Sequence, residues 1–146
     1  MGGFFGVVAD RDCVCDVFYG TDYHSHLGTR RGGLAVFGED GRISRRIHDI
    51  TNAQFRSKFD DDITKFRGKA AIGVISDGED QPLVISGGIG VFAIVTVGKI
   101  NNLAEIVARE FECGHSHFSE SGDGGYNQTE IVASLICRKN DLASGI

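Results

Sequence analysis

Apolar residues in this chain come in two arrangements: unbroken blocks five to seven residues long, and stripes that repeat every three or four positions. The blocks are Phe4 to Ala9, Ala70 to Ile75, Pro82 to Ser86 and Val91 to Val97, the last being the most apolar. Such runs read as strands covered on both faces. Gly32 to Phe37 reads as another strand. Gly38-Glu39-Asp40-Gly41 then turns the chain into Arg42 to Ile47, with Ile43 and Ile47 on one side and basic side chains on the other.

The stripes predict helices. Val14, Val17 and Phe18 share a face after a possible cap at Asp12; Leu27 extends it, Gly20 weakens it and Gly28 ends it. Phe55, Phe59, Ile63 and Phe66 follow at spacings of four, four and three. That stripe is expected to break into two short helices near Asp60-Asp61-Asp62. Those aspartates read as a solvated helix start favoured by the dipole, in preference to a metal site. Asn101 or Asn102 caps a third helix, with Leu103, Ile106, Val107 and Phe111 on one face. Thr129 to Ile136 makes the last, with Ile131 and Leu135 inward. Between them, Ser119 to Asn127 is polar and glycine-rich, an exposed loop. Strands covered on both faces, joined by a tight hairpin and interspersed with amphipathic helices, predict an α+β fold. The expected form is a four-layer αββα sandwich of two mostly antiparallel sheets.

At 146 residues the chain fits one domain. The 21 glycines are roughly double the usual share and cluster between apolar runs, which suits turns and close backbone approaches. A net charge of -5 and no basic run argue against a nucleic-acid or anionic-membrane surface. No apolar stretch reaches the ~18 residues of a membrane span, and no secretory leader opens the chain. A cytoplasmic location is therefore expected, with Cys13, Cys15, Cys113 and Cys137 as buried thiols. Cys113, His115 and His117 alternate, but lack the spacing of a zinc site and read as a polar helix end. Cys13 and Cys15 near a helix start, with His24 and His26, offer only a remote nucleophile–base pairing. Ser86 to Gly90 resembles a phosphate loop without its Lys and reads as a hairpin.

The landmarks, in order, resemble the class II glutamine amidotransferases. These are N-terminal nucleophile (Ntn) hydrolases, and the likeness is to the glutaminase domain of the amidophosphoribosyltransferases in particular. Met1-Gly2-Gly3-Phe4-Phe5-Gly6 is similar to the family's opening, Met-Cys-Gly, two apolar residues and Gly. His26-Leu27-Gly28-Thr29 resembles its His-Arg-Gly-Gln stretch, and Ala71-Ile72-Gly73-Val74 its Gly-Ile-Gly-His strand. Gln81-Pro82 resembles its Ala-Gln-Pro-Phe segment, and Gly98-Lys99-Ile100-Asn101-Asn102 its Gly-Asn-Leu-x-Asn element. Thr129-Glu130-Ile131 resembles the start of its last helix. The resemblance covers the whole chain and implies a central N-terminal strand in one of two stacked sheets.

It also implies a chemistry: an N-terminal Cys attacking the glutamine amide with its own α-amino group as base, and an Arg clamping the substrate carboxylate. An Asn with a backbone N–H stabilises the oxyanion, and an Asp holds the substrate amino group. Here those four positions fall on Gly2, Ser76, Val97 (with Gly98 beside it) and Gln128. None of the four side chains can do the corresponding job. The resemblance thus implies a degenerate cleft of Gly2, Ser76, Val97, Gly98 and Gln128, with no intact catalytic group, no metal and no cofactor. The expected partners are a small ligand in the cleft, a phosphoribosyltransferase domain following residues 1–146 in a longer purine-biosynthetic protein, and further copies in a homo-oligomer. Two alternatives stay open: a stand-alone binding or regulatory module of Ntn fold, and an amidotransferase whose Cys has been replaced.

Overall fold

A computed structural model describes every residue except Met1, Thr29, Ser116, Asp123 and Gly124. The parts of the opening motif, the His26–Thr29 stretch, the end of the third helix and the glycine-rich loop that fall on those positions lie outside the described residues.

The chain forms β1 (Gly3–Val8), α1 (Val14–Tyr23), β2 (Arg31–Phe37), β3 (Ile43–Asp49), α2 (Phe55–Ile63) and β4 (Ala70–Ser76). It continues with β5 (Leu83–Gly87), β6 (Gly90–Ile94), α3 (Leu103–Glu112), the two-residue strands β7 (Ser121–Gly122) and β8 (Gly125–Tyr126), α4 (Gln128–Cys137) and α5 (Leu142–Gly145). Among the described residues three antiparallel sheets form: a four-stranded one ordered β1-β4-β2-β3, the β5–β6 hairpin, and the short β7–β8 pair. Helices α1 and α2 cover one face of the large sheet, where Val17, Phe18, Phe55 and Phe59 build a core. Phe55 and Phe59 stack with ring centroids 4.4 Å apart.

The hairpin lies on the opposite face. It is held by Pro82, whose carbonyl accepts from Arg45 Nη1 at 3.1 Å, and by the Gln81–Pro82 backbone pressed onto Gly33. Helix α4 packs beyond the hairpin and α3 beside α4. The layers therefore run helix, sheet, sheet, helix, as expected. Several glycines are explained by close packing. A Cβ at Gly20 would overlap the Phe5 ring and one at Gly33 the Gln81 carbonyl, so each lets two layers approach.

The structure corrects several details. Among the described residues β1 lies at the edge of the sheet and not at its centre: β4 pairs with it on one side, and no described segment pairs with the other. Nor is it covered on both faces. Phe5 and Val7 pack into the core, whereas Phe4 is 58 % and Val8 85 % exposed. The most apolar run, ending at Val97, is not the most buried: β6 stops at Ile94, and Val91 and Val97 are exposed. Helix α2 runs unbroken through the aspartates, which lie in its last turns. Asp62 is buried there, its carboxylate 2.6 Å from His48 Nε2 and 3.3 Å from Arg46 Nε of β3. On α3, Val107 is buried but Phe111 is exposed. The buried neighbour is Glu110, whose carboxylate meets Arg138 at 2.8 Å and Ser134 Oγ at 2.9 Å. Leu135 likewise faces outward, leaving Ile131, Ala133 and Ile136 to bury α4. All four cysteines are free, but Cys15 and Cys113 are exposed.

Candidate functional site

A cavity of about 540 Å³ opens where the two sheets meet the start of α4, lined by Gly2, Ser76, Val97, Gly98 and Gln128. These are the five positions singled out in the sequence, and pairing brings them together. Antiparallel β1–β4 sets Gly3 opposite Ile75, so Gly2 reaches the end of β4 beside Ser76. The β5–β6 hairpin carries the chain back past Gln81, whose Oε1 accepts from Thr96 N at 2.7 Å and fixes the segment holding Val97 and Gly98. Thr96 Oγ1 lies 2.5 Å from Thr129 Oγ1, which docks the first turn of α4 and with it Gln128.

At Gly2, a Cβ would overlap the Ile75 carbonyl oxygen. The backbone here is closed around a glycine, so any larger residue forces a shift of main chain against main chain. Gly98 sits at φ +156° with no atom near its would-be Cβ, so it is glycine for its backbone conformation and not for space.

The polar groups of the wall are bonded to one another. Ser76 Oγ accepts from Gly78 N at 3.2 Å, and Gln128 Oε1 from Ile100 N at 2.6 Å. Glu79 holds the start of α4: its carboxylate accepts from Gln128 N at 2.6 Å, Thr129 Oγ1 at 3.1 Å and Thr129 N at 3.3 Å. Asn127 adds a side-chain cap, accepting from Thr129 N at 2.9 Å and Glu130 N at 3.3 Å. A carboxylate at a helix N-terminus is stabilised by the exposed N–H groups and the dipole. The helix end is thereby occupied from within. Val97 is 41 % exposed and brings an apolar face, and Lys99 is exposed on the cavity rim.

Asp77, Glu79, Thr96, Lys99 and Thr129 were not singled out in the sequence as site groups. The signal for the first two is the polar stretch Ser76-Asp77-Gly78-Glu79-Asp80 between two apolar strands, which marks a loop with chemistry in it. The other candidates are dispersed. Cys13 Sγ is fully buried and donates to Gly68 O at 3.3 Å, and burial pushes its thiol up, away from a reactive thiolate. His115 stacks on Phe118 with centroids 4.4 Å apart. Among the described residues no group of three or more His, Cys, Asp or Glu is placed to hold a metal ion. Among the described residues no helix is long and apolar enough to cross a membrane. Ser86 to Gly90 is the β5–β6 turn, with Gly87 opposite Gly90.

No protein-family model matches the chain, and no curated protein does. Solved structures do. The fold is similar to glutamine phosphoribosylpyrophosphate amidotransferase from B. subtilis, solved with ADP and GMP, at 22 % identity and a TM-score of 0.81, over all of this chain and 31 % of that one. It is equally similar, at 22 % identity and a TM-score of 0.81, to a structure described as the allosteric regulatory enzyme of purine biosynthesis, over all of this chain and 32 % of that one. The chain thus spans about a third of the length of the structures it matches, and its fold is the α+β, Ntn-hydrolase-like arrangement seen in those structures.

Proposed function

We propose that this chain is a glutaminase-like domain of amidophosphoribosyltransferase type whose glutamine-hydrolysing site has been lost. The observation that carries the reading is the convergence of Gly2, Ser76, Val97 and Gln128 on one cavity. A nucleophile, a carboxylate clamp, an oxyanion donor and an amino-group acceptor would have to stand at those four places. The groups present supply none of them, and Gln128 and Ser76 are already bonded to the surrounding main chain. In this reading residues 1–146 are the N-terminal part of a longer cytoplasmic, homo-oligomeric protein of purine biosynthesis, in which a transferase domain uses free ammonia, or the glutaminase-like domain itself regulates or assembles a related enzyme.

The test is glutamine hydrolysis, followed as glutamate or ammonia released. The chain is expected to give no release above a blank, and Gly2→Cys alone is expected to restore none, because its Cβ meets Ile75. Release by the unaltered chain overturns the reading. Restoration by Gly2→Cys alone would instead identify an amidotransferase with a replaced Cys.

A second reading, a stand-alone binding module, is favoured by the cavity itself. About 540 Å³ is a volume typical of small-molecule sites, and Lys99 at its rim leaves a charge available to a ligand. A phosphoribosyltransferase sequence downstream in the same reading frame decides for the first reading, and a stop codon near residue 146 for the second.

A further inference from the structure

Helices α3 and α4 run parallel. Ile100, just before α3, is bonded to Gln128 at the start of α4, and Glu110 near the end of α3 meets Ser134 and Arg138 at the end of α4. The positive ends of both helices therefore lie toward the cleft, and the negative ends lie away from it. A second cavity, of about 460 Å³, opens at that far end, between the C-termini of α3 and α4 and the end of β5. Among the described residues its wall carries Glu110, Glu130 and Arg138, one carboxylate more than guanidinium. Glu110 is 1 % exposed. Its Oε2 accepts from Ser134 Oγ, but its Oε1 accepts no hydrogen bond: Arg138 Nη2 stands 2.8 Å away without an N–H directed at it. A buried carboxylate oxygen without a donor costs stability. Glu130 is different, since its two oxygens accept from Ser119 N and Glu120 N, each at 2.8 Å.

We propose that this cavity binds a small organic cation with a flat, N–H-bearing head, an amidinium or guanidinium, which takes the place of the Arg138 head group on Glu110. The two helix C-termini and the surplus carboxylate set the sign of the charge. Parallel N–H donors match the two oxygens of a carboxylate as a fork, and Oε2 has a second lone pair to keep the Ser134 hydroxyl. The Arg138 side chain is 38 % exposed, so its head can turn out into water. Exchanging one planar cation for another leaves the charge around Glu110 as it was, while Oε1 gains the hydrogen bond it lacks. Ile85, Ala133 and Phe118 line the same cavity and give the body of the ligand an apolar seat, with His115 stacked on Phe118 at 4.4 Å. The site lies at the opposite end of α4 from Gln128, and it stands or falls apart from the reading of the cleft.

Amide NMR titrations of the 146-residue chain with benzamidinium, benzamide and benzoate test it. Benzamidinium is expected to bind with a dissociation constant on the order of 1 mM and to shift amides at the ends of α3 and α4. Benzamide, of the same shape but uncharged, and benzoate, of opposite charge, are expected to leave those amides in place over the same range. Glu110→Gln keeps an acceptor for Ser134 and is expected to weaken benzamidinium binding by about tenfold or more. Arg138→Ala removes the competing head group and is expected to tighten it by about tenfold, whereas an arginine that only braced the two helices would leave the affinity unaltered or lower it. Absence of benzamidinium shifts overturns the proposal, as does benzamide binding equally well, or shifts centred on Ser76 and Gly98. Arg138→Ala binding no tighter than the unaltered chain overturns it too. The comparison of the three probes on the unaltered chain decides the matter should either variant fail to fold.

Discussion

Removing Glu79 separates two descriptions of the cleft: a wall tied together from inside, or an open ring of groups awaiting a ligand. Glu79→Ala deletes three acceptor contacts, but they do not count equally. Thr129 N keeps Asn127 Oδ1 at 2.9 Å, and Thr129 Oγ1 keeps Thr96 Oγ1 at 2.5 Å. Only Gln128 N, bonded to Glu79 at 2.6 Å, loses its sole described acceptor. That charge-assisted bond is worth ~1.5–3 kcal/mol when dry, and this half-buried position on an open cavity puts it at the low end. Including the lost charge at the helix start, Glu79→Ala should cost about 1.5–2 kcal/mol. Glu79→Gln keeps one carbonyl acceptor for Gln128 N and should cost about 0.5–1 kcal/mol. Urea unfolding measures both: the midpoint should fall, more for Ala than for Gln, with the slope unchanged. In thermal melts the Ala variant should lose roughly 3–8 °C. A loss below about 0.5 kcal/mol for Glu79→Ala, or equal losses for the two variants, would refute the claim that this carboxylate holds the start of α4.

Phe59→Ala, at a fully buried ring stacked on Phe55 and edge-on to His48 at 4.6 Å, should cost about 3–5 kcal/mol by urea denaturation; a cost under about 1.5 would place the core elsewhere. Gly33→Ala would drive a Cβ into the Gln81 carbonyl and Pro82 Cδ, so about 3 kcal/mol and a melting point lower by roughly 6–12 °C are expected, and an unchanged melting point would contradict the seam between the sheets. Asp49 is held at about 2, below its ordinary 3.8, first by its hydrogen bonds to Thr51 and then by Arg31. A depressed carboxyl contributes stability above its unfolded value and loses it as pH falls toward the folded one. Asp49→Asn should therefore flatten stability against pH between 3.8 and 2, and an equal slope in both proteins would argue against those bonds.

The parts of the fold legible in the sequence were those set by local pattern. Val14, Val17 and Phe18 did bury as a stripe, and Gly38 to Gly41 did turn β2 into β3, with Gly41 at φ +76°. The five cleft positions came from family order, and the structure brings them into one cavity. The misreadings share a cause: they depend on what arrives from elsewhere in the chain. An apolar run such as Phe4 to Ala9 looks the same whether or not a strand lies beside it, so the edge position of β1 was invisible. Asp62 reads as a solvated charge until β3 brings Arg46 and His48 against it. Glu110 reads as a polar interruption of a stripe until α4 supplies Arg138 and Ser134. Nor could spacing show that Glu79, from a loop, caps a helix that begins 49 residues later.

The seam at Gly33 and Pro82 has a consequence for how the molecule opens. The contiguous apolar cluster draws only on residues between Phe5 and Ile75; Leu83, Val107, Ile131, Ala133 and Ile136 are buried outside it. Two cooperative units are therefore expected, with amides of α1, β2 and β4 exchanging with solvent most slowly and those of β5, α3 and α4 through a smaller, separate opening. The cavity straddles both, with Ser76 on the first unit and Gln128 on the second. A compound bound there would clasp one unit to the other and slow exchange in the second by the factor its affinity sets. Proton exchange can thus report occupancy of the cleft before the chemistry of its occupant is known.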